Sequence, residues 1–140
     1  MTRDKNKSKF KTLDKETKHY SNDDLFICDL DEPMCLAGIM GGFDHSVSDE
    51  TTSILLESAY FDPVGIRKSS KKSGISSDSS YRYERGVDIN MTDYALKRAA
   101  SLLKEYYNAE IISNIIDDYP NKIEEKNIFI NFENFNKIIG

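Results

Sequence analysis

Glu57 is the one acid in the apolar stretch of residues 53–59. A glycine cluster, Ala37-Gly38-Ile39-Met40-Gly41-Gly42, lies about sixteen residues before it, and the serine-rich segment Ile75-Ser76-Ser77-Asp78-Ser79-Ser80 about twenty residues after it. These residue types suit a pocket: a carboxylate to accept hydrogen bonds, glycines that let backbone approach a ligand, and hydroxyls to orient one. The plainer alternative is a carboxylate that is solvated or paired with Arg82 or Arg85. No phosphate-loop, zinc or nucleophilic-triad pattern is present. Cys28 and Cys35 make no metal spacing with His19 and His45, and read as buried free thiols.

Several elements must position these groups. Residues 25–28 and 34–39 are short apolar runs separated by Asp29, Asp31, Glu32 and Pro33, which predicts a hairpin. Residues 53–59 predict a third strand, with Leu55, Glu57 and Ala59 on one face. Asp62-Pro63 supplies an N-cap and a proline at the first helical position, and Gly74 supplies the stop, so a basic helix is expected between them. Residues 75–80 read as a loop, and 81–87 as extended because Tyr81, Tyr83 and Arg85 alternate. Asn90 and Asp93 resemble a capping box opening a helix with Leu96, Ala99, Leu103 and Tyr106 on one side, closed by Asn108. Residues 111–116 and 128–131 look β-like, and residues 132–140 look like the first turns of another element. Irregular alternation of strands and helices predicts an α+β fold, a mixed β-sheet core with flanking helices.

Composition narrows the class. With 140 residues, 39% hydrophobic and 31% charged, the chain has the make-up of a globular domain. No apolar run approaches the roughly 20 residues of a membrane helix, so no membrane contact is expected. Residues 1–18 carry seven bases against three acids and lack the apolar core of a signal peptide, which points to the cytoplasm. Residues 1–20 read as a basic tail or domain edge, with order beginning near Leu25. The net charge of −5 argues against a wholesale nucleic-acid coat. Between Ile66 and Arg85, however, six bases (Arg67, Lys68, Lys71, Lys72, Arg82, Arg85) face two acids (Asp78, Glu84), a local +4. That is either a confined basic patch or a solvated helix face.

One ordered series adds to this reading. Gly38 to Gly42, Asp49-Glu50-Thr51, Leu55-Leu56-Glu57-Ser58-Ala59-Tyr60-Phe61, Gly74 through Asp78, and Arg82-Tyr83-Glu84-Arg85-Gly86-Val87-Asp88 follow one another and together resemble the bacterial phenylalanyl-tRNA synthetase beta subunit, across roughly residues 10–117. The resemblance implies an editing (tRNA-deacylase) domain at 21–118, truncated at its N-terminal side, and at 119–140 a linker with the start of the following module.

What the resemblance implies is hydrolysis of the ester joining tyrosine to phenylalanine tRNA, with neither metal nor covalent intermediate required. An apolar pocket rejects an added hydroxyl only about a hundredfold, whereas a site built to hydrogen-bond it discriminates by about 10⁴ to 10⁵. Glu57 matches the family's hydroxyl-reading glutamate, and Gly41 the glycine lining the tyrosine pocket. Ser77 matches a threonine-type position near the reacting ester, hence a catalytic candidate, and Ser79 an alanine-type position controlling access. Backbone amides near Gly41 and Gly42 would orient water or an oxyanion. Lys68, Lys71, Lys72, Arg82 and Arg85 would contact tRNA phosphates, with Arg85 and Asp88 alternatively a structural pair. A histidine of the family's site falls before residue 1, so the chain alone is expected to have an incomplete site. The implied partners are the synthetase alpha subunit, in a heterotetramer, and phenylalanine tRNA; ATP and magnesium belong to the full ligase, with no cofactor here. A degenerate, purely structural and tRNA-binding module is the other reading.

Overall fold

The computed structural model describes residues 9–21, 23–30 and 32–139. The chain divides into two units, Met1–Glu110 and Ile111–Gly140. The fold class is α+β, as the sequence indicated, and among the described residues the ladder pairings are antiparallel.

The first unit opens with a hairpin of β1 (Lys9–Lys11) and β2 (Thr17–His19), in which Phe10 pairs with Lys18. This corrects the expectation that order begins near Leu25; the basic residues 1–8 lie outside the described residues. The physical reason is the turn. The Thr12 hydroxyl meets Asp14 Oδ1 at 2.5 Å and the Glu16 carbonyl at 3.0 Å, Asp14 Oδ1 accepts from the Glu16 amide at 3.1 Å, and Lys15 takes a positive φ of 67°. Phe10 and Thr12 then alternate inward, both buried.

The expected second hairpin is present as β3 (Phe26–Asp29) and β4 (Glu32–Leu36), with β5 (Met40–Gly41) on its other side. A bridge between Thr12 and Gly42 joins the two sheets: the Leu13 amide donates to the Gly41 carbonyl at 3.1 Å, and the Phe43 amide to the Lys11 carbonyl at 3.0 Å. Gly42 is the residue that permits this junction. A Cβ there would sit 2.7 Å from the Met34 carbonyl oxygen and 2.8 Å from the Phe10 ring, closer than any side chain tolerates.

Residues 53–59 are not a strand. They are irregular, with no ladder partner among the described residues, and Ala59 and then Phe61 anchor them to the core. Helix α1 (Pro63–Ser73) forms as the capping chemistry predicts. Asp62 accepts from the Gly65 amide at 2.7 Å, proline stands at the first turn, and Gly74 closes the helix in the left-handed region at φ 67°. Its inner face carries Ile66, Ser69 and Ser70.

Helix α2 (Asp78–Tyr83) takes the second half of the expected loop at 75–80 and the start of the expected extended segment at 81–87, while residues 75–77 stay a loop. A reciprocal box drives it: the Ser80 amide donates to the Ser77 hydroxyl at 3.0 Å, and the Ser77 amide to Ser80 Oγ at 2.9 Å. Helix α3 (Met91–Tyr107) ends at Asn108 as expected, but Asn90 makes no side-chain cap. Asp93 instead pairs with Lys97 one turn on, at 2.7 Å. The core is Phe10, Phe26, Leu36, Ala37, Ile39, Phe61, Ile66 and Ile75. Edge-on ring pairs, Phe10 with Phe26 at 5.2 Å and Phe61 with Tyr83 at 5.0 Å, tie its parts together.

In the second unit, residues 111–116 and 128–131 form no strands. Helix α4 (Phe132–Ile139) starts from Asn131, whose side chain accepts from the Glu133 and Asn134 amides at 2.9 and 3.2 Å. Among the described residues no helix is long and apolar enough to cross a membrane.

Candidate functional site

Four of the five pocket residues named from the sequence meet at one cavity of about 420 Å³: Glu57, Gly41, Ser77 and Ser79. That volume lies within the range of small-molecule sites. Four pieces of chain build it. Leu13 comes from the β1–β2 hairpin, the β4–β5 segment contributes Cys35, Gly38, Ile39, Met40 and Gly41, the stretch before α1 contributes Glu57 and Phe61, and α2 with its N-cap contributes Ser77, Asp78, Ser79 and Tyr83. Gly42 faces elsewhere. Its amide donates to the Met34 carbonyl at 2.8 Å, and it lines a separate hollow of about 270 Å³.

Sequence reasoning missed Leu13, Cys35, Phe61 and Tyr83, all on the wall of the larger cavity. Leu13 stood in a segment read as tail. The alternation of Phe10 and Thr12 between lysines was the available signal. Phe61 and Tyr83 stood in the motif series but carried no assigned role.

The wall is held by hydroxyl-to-carbonyl bonds. Ser77 Oγ donates to the Ile39 carbonyl at 2.6 Å, and Ser79 Oγ to the Gly38 carbonyl at 3.0 Å. Gly38 has φ 66°, and a Cβ there would lie 2.8 Å from the Phe61 ring and 2.9 Å from Ile66. The turn therefore packs directly on the core, and the serines fasten α2 to it. With its proton on Ile39 and one lone pair receiving the Ser80 amide, the Ser77 hydroxyl keeps one free acceptor site.

Electrostatics single out Glu57. Its residue surface is exposed, yet the protein atoms crowding its carboxyl raise the pKa above the ordinary 4.5 by desolvation. Burial, with the Glu57 charge adding, pushes the Cys35 thiol up to about 11. Cys35 is therefore protonated at neutral pH and no nucleophile; it is not in a disulfide, and neither is Cys28. Burial likewise raises Tyr83, reinforced by Glu57 and Cys35. Among the described residues no group of three or more His, Cys, Asp or Glu could hold a metal ion.

The basic residues separate. Lys72 reaches Ser21 and, at 3.1 Å, the carboxylate of Asp24, a buried acid that also accepts from Ser69 Oγ at 2.6 Å. It is a structural tie. Arg85 pairs with Glu84 at 2.8 Å, stacks 3.5 Å from the Tyr81 ring centroid and donates to the Tyr81 carbonyl. The alternative pairing of Arg85 with Asp88 is not formed, since Asp88 caps the Asn90 amide instead. Lys68, Arg67 and Arg85 line a hollow of about 470 Å³ with Pro63, Val64 and Glu84. Lys71 and Arg82 are exposed.

Residues 1–108 match the B3/4 domain. The chain belongs to the B3/4 domain family. It is also similar to proteins named phenylalanine–tRNA ligase beta subunit, with 42% identity over 132 residues in Porphyromonas gingivalis and 40% over 131 residues in Salinibacter ruber, 94% of this chain in each case. The relative in Syntrophotalea carbinolica is 40% identical over 134 residues, 96% of the chain. The resemblance read from the motif series is thereby borne out. The chain spans 16 to 17% of the length of these relatives.

Proposed function

We propose that this B3/4 domain serves a phenylalanine–tRNA ligase beta subunit as its editing site, hydrolysing tyrosine wrongly esterified to phenylalanine tRNA. The observation that carries the reading is Glu57, whose carboxyl is raised by desolvation, set in a cavity shared with Asp78, Ser77 and Ser79 and walled on its apolar side by Leu13, Ile39, Phe61 and Tyr83, with Gly41 leaving space. An aromatic side chain fills such a wall, and its phenolic hydroxyl donates to Glu57. Phenylalanine would bury that carboxylate unpaired, the kind of mismatch that supports discrimination of about 10⁴ to 10⁵.

Ser77 acts through its remaining acceptor site, holding the attacking water by one of its protons while the second faces solvent or a further base. Ser79, fixed to Gly38, shapes the wall beside the ester. Lys68, Lys71 and Arg82 offer phosphate contacts, with Lys72 and Arg85 contributing less because Asp24 and Glu84 already hold them. The alpha subunit as partner, the cytoplasm as compartment, and ATP with magnesium for charging belong to the same proposal for the whole ligase.

The commitment of both serine hydroxyls to backbone carbonyls favours one second reading, a scaffold that binds tRNA without editing. Deacylation decides between them. A ligase whose beta subunit carries this chain should release tyrosine from tyrosyl-tRNA faster than phenylalanine from phenylalanyl-tRNA; release of neither above the uncatalysed rate leaves only the scaffold.

A further inference from the structure

The β1–β2 hairpin holds two ammonium groups against one ring. Lys11 Nζ lies 4.2 Å, and Lys15 Nζ 5.5 Å, from the Phe43 ring centroid. Both lysines are exposed and Phe43 is half-buried. Phe43 is fixed to the hairpin by its own amide, which donates to the Lys11 carbonyl at 3.0 Å.

The acids of the hairpin do not neutralise these two charges. Asp14 is held below its usual carboxylate range by the Thr12 hydroxyl and the Glu16 amide, and Glu16 pairs with Lys18 at 2.5 Å. No ion pair to Lys11 or Lys15 occurs among the described residues. The hollow on the other side of Lys11 is also lined by Lys9 and His45, with Glu32 and Asp44 as its acids. Two ammonium groups against one ring, neither of them in an ion pair, attract an anion. An aromatic ring beside unpaired cations is the combination that holds single-stranded nucleic acid, phosphate on the cations and base on the ring.

The position of the hairpin gives the patch its use. Leu13, between the two lysines, lines the Glu57 cavity and donates its amide to Gly41. We propose that Lys11, Lys15 and Phe43 form a landing surface for single-stranded RNA beside the cavity, gripping the strand by its phosphodiesters. That the strand is the acceptor end of a tRNA rests on the editing reading; the surface itself does not.

The test is binding of a labelled, unacylated single-stranded RNA to the 140-residue chain, followed by fluorescence anisotropy across a range of salt. Replacing Lys11→Gln with Lys15→Gln should remove two phosphate contacts and flatten the slope of log affinity against log salt by about 1.4. Phe43→Leu should weaken binding about fivefold or more with the slope kept, and Phe43→Tyr should restore it. A Lys97→Gln, Lys104→Gln variant of exposed α3 residues should match the unaltered chain, with circular dichroism confirming that each variant is folded. No binding by the unaltered chain, an unchanged slope in the hairpin variant, or an equal loss in the α3 variant overturns the surface. RNA binding that depends on Lys11 and Lys15, in a ligase that fails to deacylate tyrosyl-tRNA, sinks the editing reading and leaves the surface standing.

Discussion

Ser77→Ala separates what the Ser77 hydroxyl holds together from any part it plays in chemistry. The hydroxyl caps α2 by accepting the Ser80 amide at 3.0 Å and donates at 2.6 Å to the carbonyl of Ile39, a residue only 2% exposed. Losing an N-cap costs about 1 kcal/mol, and leaving a buried carbonyl unpaired about 1–3 kcal/mol. The reverse bond, from the Ser77 amide to Ser80 Oγ, survives, so the sum is about 2–4 kcal/mol. At about 4 °C per kcal/mol for a unit of this size, the midpoint of thermal unfolding should fall by about 8–16 °C. Ser77→Thr keeps the hydroxyl and should stay within about 1 kcal/mol of the unaltered chain. A Ser77→Ala chain whose urea unfolding free energy lies within about 0.5 kcal/mol of the original would refute the structural role.

Three further outcomes follow from the same contacts. Gly42→Ala should destabilise the chain by about 1–3 kcal/mol in urea unfolding, because the new methyl meets the Met34 carbonyl and the Phe10 ring. Gly41→Ala should cost less, since the atom it meets is Leu13 Cδ1 at 3.2 Å, the end of a half-exposed side chain; a larger loss than at Gly42 would contradict the packing described. Burial works to raise Asp24, but hydrogen bonds from Ser69, the Ser21 amide and Lys72 outweigh it and hold the carboxyl below its ordinary 3.8. Its contribution is therefore complete above that value and lost as pH falls through the lower folded pKa. Asp24→Asn should remove about 1.5–3 kcal/mol at neutral pH and flatten the acid limb of the stability profile; an unchanged limb would show that Asp24 does not carry it.

What the sequence made legible was local and had a chemical cause. Asp62, Pro63 and Gly74 each act within one turn, and α1 begins and ends where they place it. The breaker between residues 28 and 34 likewise marks the β3–β4 hairpin. Residues 53–59 were misread because alternation reports which faces a segment has, not whether a partner strand is available to pair with it. Helix α2 was hidden by the alternation of Tyr81, Tyr83 and Arg85, although Ser77 and Ser80 already held the spacing of a reciprocal cap. The hairpin near the N-terminus escaped because lysines dominate it, while its order comes from the Thr12, Asp14 and Glu16 turn and from Phe10 reaching the core. The cavity was legible through the resemblance, which named Gly41, Glu57, Ser77 and Ser79. Its apolar wall was not, because Leu13, Phe61 and Tyr83 converge only in three dimensions.

The central claim is that Glu57 reads a phenolic hydroxyl, and binding tests it without requiring turnover. The measurement is calorimetric titration of the chain with two non-hydrolysable adenosine amides, one tyrosyl and one phenylalanyl, before and after Glu57→Ala. A hydrogen bond to a charged acceptor contributes about 1.5–3 kcal/mol, so the tyrosyl compound should bind about 10- to 150-fold more tightly, and the substitution should erase that preference. Equal affinities in the unaltered chain, or a tyrosyl preference that survives Glu57→Ala, would contradict the account.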